Sequence, residues 1–261
     1  MTTSGIHSFS SIDKVLSGMP EAERLCLLDT NVLAGWSYSD LHSLGEDCEF
    51  IVEKLGEYSS TVFASVTTKS EFYDFVRRVV LSENLLSIGT ADSKWKISTA
   101  VRRKIENLKR LVDQKASRDD LPLLSDYQLK ELKKDYFIPR NESGKDGWIK
   151  FCSEVLGADL QRAWENLESC IGINYLDTQD PSLESVLPHR PQWADAATLI
   201  VQSGVSMSDA FILNIFKSSS IPILVSADFD VGYAFRASGL SHTKMLLLPD
   251  KLAKEVSRLR F

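Results

Sequence analysis

Long apolar runs are missing from this chain of 261 residues. None approaches the roughly 18 residues of a membrane-spanning helix. Yet 43% of the residues are apolar and 25% charged, enough for a proper core under a soluble surface. Cysteine is scarce as well. Cys26, Cys48, Cys152 and Cys170 form no CxxC pair, and Cys26, Cys152 and Cys170 lie inside apolar segments. That pattern predicts buried, reduced thiols in a cytoplasmic protein. The four histidines, His7, His42, His189 and His242, lack ligand spacing, which argues against a zinc site. A basic excess is absent too, and the net charge of −6 argues against a general nucleic-acid coat protein. The stretch from Met1 to Ser11 has no charged start followed by an apolar segment, so no secretory signal is expected. Internal repeats and low-complexity tracts are also missing. The length suits one large domain, or one domain carrying a long insertion.

What is present is a set of short apolar stretches alternating with helical patterns. Residues 25–28 (LCLL) read as a buried strand running into Asp29, Thr30 and Asn31, each able to cap the helix that follows. Residues 61–66 (TVFASV) read as a second strand. Beyond it Phe72, Phe75, Val76, Val79 and Val80 recur at helical spacing, with Thr67 or Thr68 as cap. Residues 194–201 predict a helix that stops at Gly204, and residues 206–217 another, capped by Ser206 or Ser208. Residues 221–225 (IPILV) read as a buried strand followed by a polar turn over 226–230. Residues 246–248 predict a last short strand, with a terminal helix from Asp250. Strands apolar on both faces and alternating with helices predict a parallel sheet covered on both sides.

The middle of the chain, 91–190, shows no convincing strand. Ile97, Val101, Ile105, Leu108 and Val112 trace a helical stripe, with Lys96, Arg102, Arg103, Lys104, Lys109 and Arg110 on the other face. Trp148, Phe151, Val155 and Leu156 suggest a second helix; Leu160, Ala163, Trp164, Leu167 and Ile171 suggest a third. Residues 141–147 and 177–181 read as loops. From Lys94 to Lys134 there are 12 Lys/Arg against 6 Asp/Glu, a net of +6 that leaves −12 for the rest. This basic face admits three readings: RNA phosphate contact through Lys96, Arg102, Arg103, Lys109 and Arg110, docking of an acidic protein, or a solvated helix laced with Glu106 and Asp113. Trp95, Tyr127, Tyr136 and Trp148 offer stacking surfaces if exposed. Trp164 and Trp193, with apolar neighbours, read as core.

Four acids occupy equivalent places in this pattern. Asp29 follows the first strand, Glu71 lies one turn into the helix after the second, Asp209 lies near a helix start, and Asp228 follows the IPILV strand. Strand ends and helix starts share one rim of a parallel sheet, where ligands bind. Alone, each acid also suits a cap, a first helical turn or an Asx turn. Together, converging carboxylates repel one another unless a cation offsets the charge. Mg²⁺ and Mn²⁺ take oxygen ligands and keep several waters, which suits phosphodiester hydrolysis.

Four blocks containing these acids resemble those of the PIN-domain nucleases: LLDTNVL (27–33), ASVTTKSEF (64–72), GVSMSDAFIL (204–213) and IPILVSADFD (221–230). The resemblance covers roughly 24–90 and 192–250. It implies a PIN-like three-layer α/β/α fold with a central, mostly parallel sheet, and a Mg²⁺- or Mn²⁺-dependent endoribonuclease. Carried over by position, Asp29, Glu71, Asp209 and Asp228 are the catalytic, metal-binding acids, with Asp230 as a substitute or additional ligand. Thr30 and Asn31 match the turn that orients the first Asp, and Ser226 matches a supporting hydroxyl. RNA is the implied substrate. An antitoxin or other protein partner, a toxin or defence role, and pairing of two copies are implied by analogy alone. The chain departs from small PIN toxins in one respect: Glu71 and Asp209 are 138 positions apart. The expected organisation is an N-terminal extension (1–23), a discontinuous catalytic domain (24–90 and 191–261) and a helical insertion (91–190). Two other readings compete. One is a non-catalytic RNA- or protein-binding module on the same fold. The other is a phosphohydrolase using Asp29 as nucleophile, against which Asn31 stands where such enzymes carry a second acid.

Overall fold

The computed structural model describes residues 5–88, 95–118, 121–134, 138–139, 147–177 and 179–259. The chain divides into two compact units: Met1–Asp40, Leu44–Phe72 and Leu167–Phe261 form the first, Leu41–Ser43 and Tyr73–Asn166 the second. In chain order the elements begin with β1 (Gly5–Ser8), α1 (Ile12–Ser17), β2 (Leu25–Leu28), α2 (Thr30–Ser37), α3 (Gly45–Glu57), β3 (Thr61–Ser65) and α4 (Val66–Ser87). Then come β4 (Trp95–Lys96), α5 (Thr99–Ala116), α6 (Asp126–Lys134), β5 (Ile138–Pro139), α7 (Gly147–Leu156) and α8 (Asp159–Ile171). The chain closes with β6 (Asn174–Leu176), α9 (Trp193–Ser203), α10 (Met207–Ser218), β7 (Ile223–Val225), α11 (Phe229–Ala237), β8 (Met245–Leu248) and α12 (Asp250–Arg258).

The first unit is a three-layer α/β/α sandwich around one six-stranded sheet, order β1-β8-β7-β2-β3-β6, with every pairing parallel. Register and hydrophobicity agree. Leu27 lies beside Phe63 and Leu224, and Leu224 beside Leu246. This row packs into one core with Leu213, Phe216, Phe235 and Val256 of α10, α11 and α12. The alternate residues Cys26, Leu28, Ile223, Val225 and Leu247 are equally buried and point to the other face. Val32, Leu33, Ile51 and Leu55 of the mutually packed α2 and α3 are buried outside that first core. Gly204 ends α9 at φ 70°, a left-handed position that a side chain would strain.

Four strands lie outside the sequence expectation: β4 and β5, which form a separate antiparallel pair in the second unit within the segment expected to hold no strand, and β1 and β6 of the main sheet. β1, within the expected extension, pairs with β8, so residues 1–23 contain an edge of the sheet. β6, within the segment expected to hold no strand, pairs with β3 through Phe63–Asn174 and Ser65–Leu176. β1 and β6 are edge strands of four and three residues, all at least partly exposed except the buried Leu176, and are too short for a period of two to register. Accordingly the second unit ends at Asn166, where the sequence reading carried the insertion to 190. The cap of α4 also differs. Ser65 Oγ, not Thr67 or Thr68, accepts the Thr68 N–H at 3.2 Å, and the buried Thr68 hydroxyl donates back to the Leu28 carbonyl at 3.2 Å.

The second unit has its own core. Leu81 and Leu85 of α4 meet Val101, Ile105, Leu108 and Val112 of α5, Leu129 and Leu132 of α6, and Phe151 of α7. The Ser82 hydroxyl accepts the Leu124 N–H at 2.9 Å, and Arg77 bridges Asp74 and Asp126. Trp95 packs edge-on against Phe151, so it is core rather than a stacking surface; Trp148 is half-buried and Tyr127 is 72% exposed. Tyr136, Lys94, the loop 141–146 and the side chain of Lys96 lie outside the described residues.

Trp164 is buried, but Trp193 is 71% exposed. Trp193 heads α9, edge-on to Phe211, and its exposed helical neighbours Ala194, Ala197 and Val201 do not reveal from sequence which way the helix turns. All four cysteines are free; Cys26 and Cys48 are buried, while Cys152 is half-buried and Cys170 exposed, contrary to the expectation for those two. Among the described residues no helix is long and apolar enough to cross a membrane.

Candidate active site

Strand order places a crevice before any side chain is considered. From β2 the chain moves to β3 on one side, then returns through β7 on the other side of β2. The turn after β2 and the turn after β7 therefore diverge at a topological switch point, where α/β sheets open for ligands. Asp29 follows β2 as the N-cap of α2, and Asp228 caps the helix after β7.

The buried Asp29 carboxylate is held at both oxygens. The Thr30 N–H donates to Oδ1 at 2.7 Å and the Ser226 hydroxyl to Oδ2 at 2.7 Å. Ser226 is fully buried, and its oxygen also accepts the Asp228 N–H at 3.1 Å. Asn31 donates its side-chain amide to Asp228 Oδ2 at 3.0 Å. The Thr30 hydroxyl donates to Glu71 Oε2 at 2.8 Å. Asp209, in the first turn of α10, accepts the Ser206 hydroxyl at 2.7 Å. Thr30, Asn31 and Ser226 thus connect three of the four acids through one hydrogen-bond network, while Asp209 hangs on its own cap.

Electrostatics ties Asp209 to the rest. Burial, with the Asp228 and Glu71 carboxylates adding to it, pushes Asp29 up to about 7 despite the Ser226 hydrogen bond. Burial also raises Asp209, again helped by Asp228 and Glu71 and opposed by Ser206. Burial raises Asp228, with the Asp230 carboxylate adding and the Asp230 N–H and Asn31 opposing. Among the described residues, no lysine, arginine or histidine forms an ion pair with any of the four acids. Mutual repulsion here is not offset by a basic side chain.

Asp230 is exposed, and its backbone N–H closes a turn onto Asp228 Oδ1 at 2.7 Å. Its carboxylate adds to the raised proton affinity of Asp228. Among the described residues no three Asp, Glu, His or Cys side chains are clustered closely enough to count as a ready-made metal cage. Of the hydroxyls at this turn, Thr68 is a candidate cap in the sequence and Ser65 only part of the second strand. Their signal is the Ser-Val-Thr-Thr run at a strand-to-helix turn, where hydroxyls replace missing helical partners.

On the second unit, Arg102, Arg103, Lys109 and Arg110 are exposed on α5. Comparison of the chain with models of known protein families, with curated proteins and with solved structures finds no match.

Proposed function

We propose that the first unit is a PIN-type, Mg²⁺- or Mn²⁺-dependent endoribonuclease acting in the cytoplasm on RNA phosphodiester bonds. One observation carries the reading: Asp29, Asp209 and Asp228, from three separate elements around the switch point, have raised proton affinities to which neighbouring carboxylates contribute, and among the described residues neither they nor Glu71 form an ion pair with a basic side chain. The donor set is all oxygen, which suits Mg²⁺ or Mn²⁺ and not zinc. When bound, such an ion activates water and offsets charge on the transferring phosphate.

The side chains divide the remaining work. Asp29 is the innermost ligand, fixed in orientation by Thr30 and Ser226. Glu71 and Asp228 flank it, held by Thr30 and Asn31. Asp209 approaches from the start of α10 and is the least constrained of the four. Asp230 remains outside this set.

Purified protein is expected to cut total RNA with Mn²⁺ or Mg²⁺, and Asp29→Asn to abolish cutting. Metal-dependent cutting that survives in Asp29→Asn would sink the reading. The absence of three clustered ligands among the described residues favours one alternative, a non-catalytic binding module on the same fold. Calorimetry that finds no divalent-metal binding would select it.

A further inference from the structure

Helix α5 treats its basic residues in two ways. Lys104 and Lys115 fold back onto the unit, where their ammonium groups donate to the Glu131 carbonyl at 3.1 Å and the Leu123 carbonyl at 2.7 Å. Those two cations are accounted for by the fold. Arg102, Arg103, Lys109 and Arg110 are exposed, and among the described residues none of their side chains has a hydrogen-bond or ion-pair partner. Glu106 and Asp113 lie on the same solvent side, yet neither closes an ion pair with them. Packing therefore does not explain four cations on one helix face.

Helical geometry separates this face further. Arg103, Asn107, Arg110 and Gln114 recur at i, i+4, i+7 and i+11, and all four are exposed. They form a row of hydrogen-bond donors roughly 16 Å long with no acid in it. Arg102 and Lys109 form a second row, with Glu106 and Asp113 between the two. Guanidinium forks alternating with side-chain amides suit the non-bridging oxygens of successive phosphates. The row itself contains no aromatic or apolar residue, and the exposed Leu111 beside it is the one large apolar side chain of α5 at its margin.

We infer that the Arg103–Asn107–Arg110–Gln114 row of α5 binds the phosphate backbone of single-stranded RNA without reading its sequence. The inference rests on the nuclease reading for its biological sense, but the binding itself does not need catalysis. Contacts of this kind release counterions, so affinity falls linearly with salt on logarithmic axes.

The test uses the full chain and fluorescent polyuridylate in EDTA, with affinity measured across a salt series. Replacing Arg103 and Arg110 together by alanine is expected to weaken binding about ten-fold or more at low salt. The slope of log affinity against log salt should fall by about 1.4, the value for two lost single-strand phosphate contacts. The double variant Arg103→Lys/Arg110→Lys keeps the charge and should keep most of the slope, which guards against a trivial loss of fold in the alanine pair. Unchanged affinity and slope in the alanine pair would overturn the inference. So would unchanged RNA binding accompanied by loss of polyglutamate binding, which would assign the face to an acidic polypeptide. Protein that binds through this row yet never cuts RNA refutes the nuclease reading and leaves this inference standing. Protein that cuts while its salt slope ignores Arg103 and Arg110 does the reverse.

Discussion

At the scale of single residues, Asp29 carries the most consequence. Its carboxyl is fully enclosed and its proton affinity is pushed up to about 7, chiefly by burial. The folded protein therefore holds this proton more tightly than the unfolded chain, whose ordinary value is 3.8. Between those two values stability falls as pH rises, and above pH 7 the full penalty is in place. Asp29→Asn removes that charge and keeps the shape. Metal-free Asp29→Asn is thus expected to be more stable than the parent at pH 8 by about 2–4 kcal/mol, with the gap closing near pH 4, as read by denaturant titration. Ser226 is the counterpart. Its hydroxyl fixes Asp29 Oδ2 and takes the Asp228 N–H, so it orients two acids at once. Ser226→Ala should weaken Mn²⁺ binding about 10–100-fold by calorimetry, the usual cost of losing a group that orients a ligand. The four acids were legible as residues because each follows a strand or opens a helix. The exposure of Asp230 was not legible, since two acids two apart differ only in which one the turn closes upon.

At the scale of elements, the central strands were readable because Leu25–Leu28 and Ile223–Val225 are buried on both faces and so appear as uninterrupted apolar runs. β1 and β6 were not readable. Gly5–Ser8 and Asn174–Leu176 become strands only by pairing with β8 and β3, a long-range contact that no local pattern records. Lys244 illustrates a similar non-local role. Its ammonium donates to the carbonyls of Phe216, Ser219 and Ile221 at 2.8, 2.7 and 2.8 Å, tying the end of α10 to the entry of β7. It also lies over the Phe216 ring at 4.5 Å, and burial lowers its proton affinity to about 8. Lys244→Met keeps the stem and leaves the Ser219 and Ile221 carbonyls without this donor, while the Phe216 carbonyl keeps the Ser219 hydroxyl at 2.9 Å. A loss of about 2–4 kcal/mol is expected by thermal or denaturant unfolding at pH 7. A loss below about 0.5 kcal/mol would show that water takes over as donor.

At the scale of the whole molecule, the chain holds two units with separate hydrophobic cores. The acids lie in the first and the basic helix α5 in the second, matching the charge asymmetry visible in the sequence. α4 belongs to both, because Glu71 and Phe72 fall in the first unit and Tyr73 onward in the second. If the four acids bind a cation, binding stabilises the unit that supplies the ligands. At 100 times the dissociation constant this amounts to about 2.7 kcal/mol, or about 100-fold slower exchange of amides that open with that unit. Hydrogen exchange should therefore slow on adding Mn²⁺ at Leu27, Leu28, Leu224 and Val225 of β2 and β7. The amides of Ile105, Leu108 and Val112, in the core of the second unit, should keep their rates. The difference should shrink as pH drops below 7, because protons compete for the raised Asp29 carboxylate. Equal slowing in both units would show that they open together despite their separate cores. No slowing in either would remove the cation from the first unit and the nuclease reading with it.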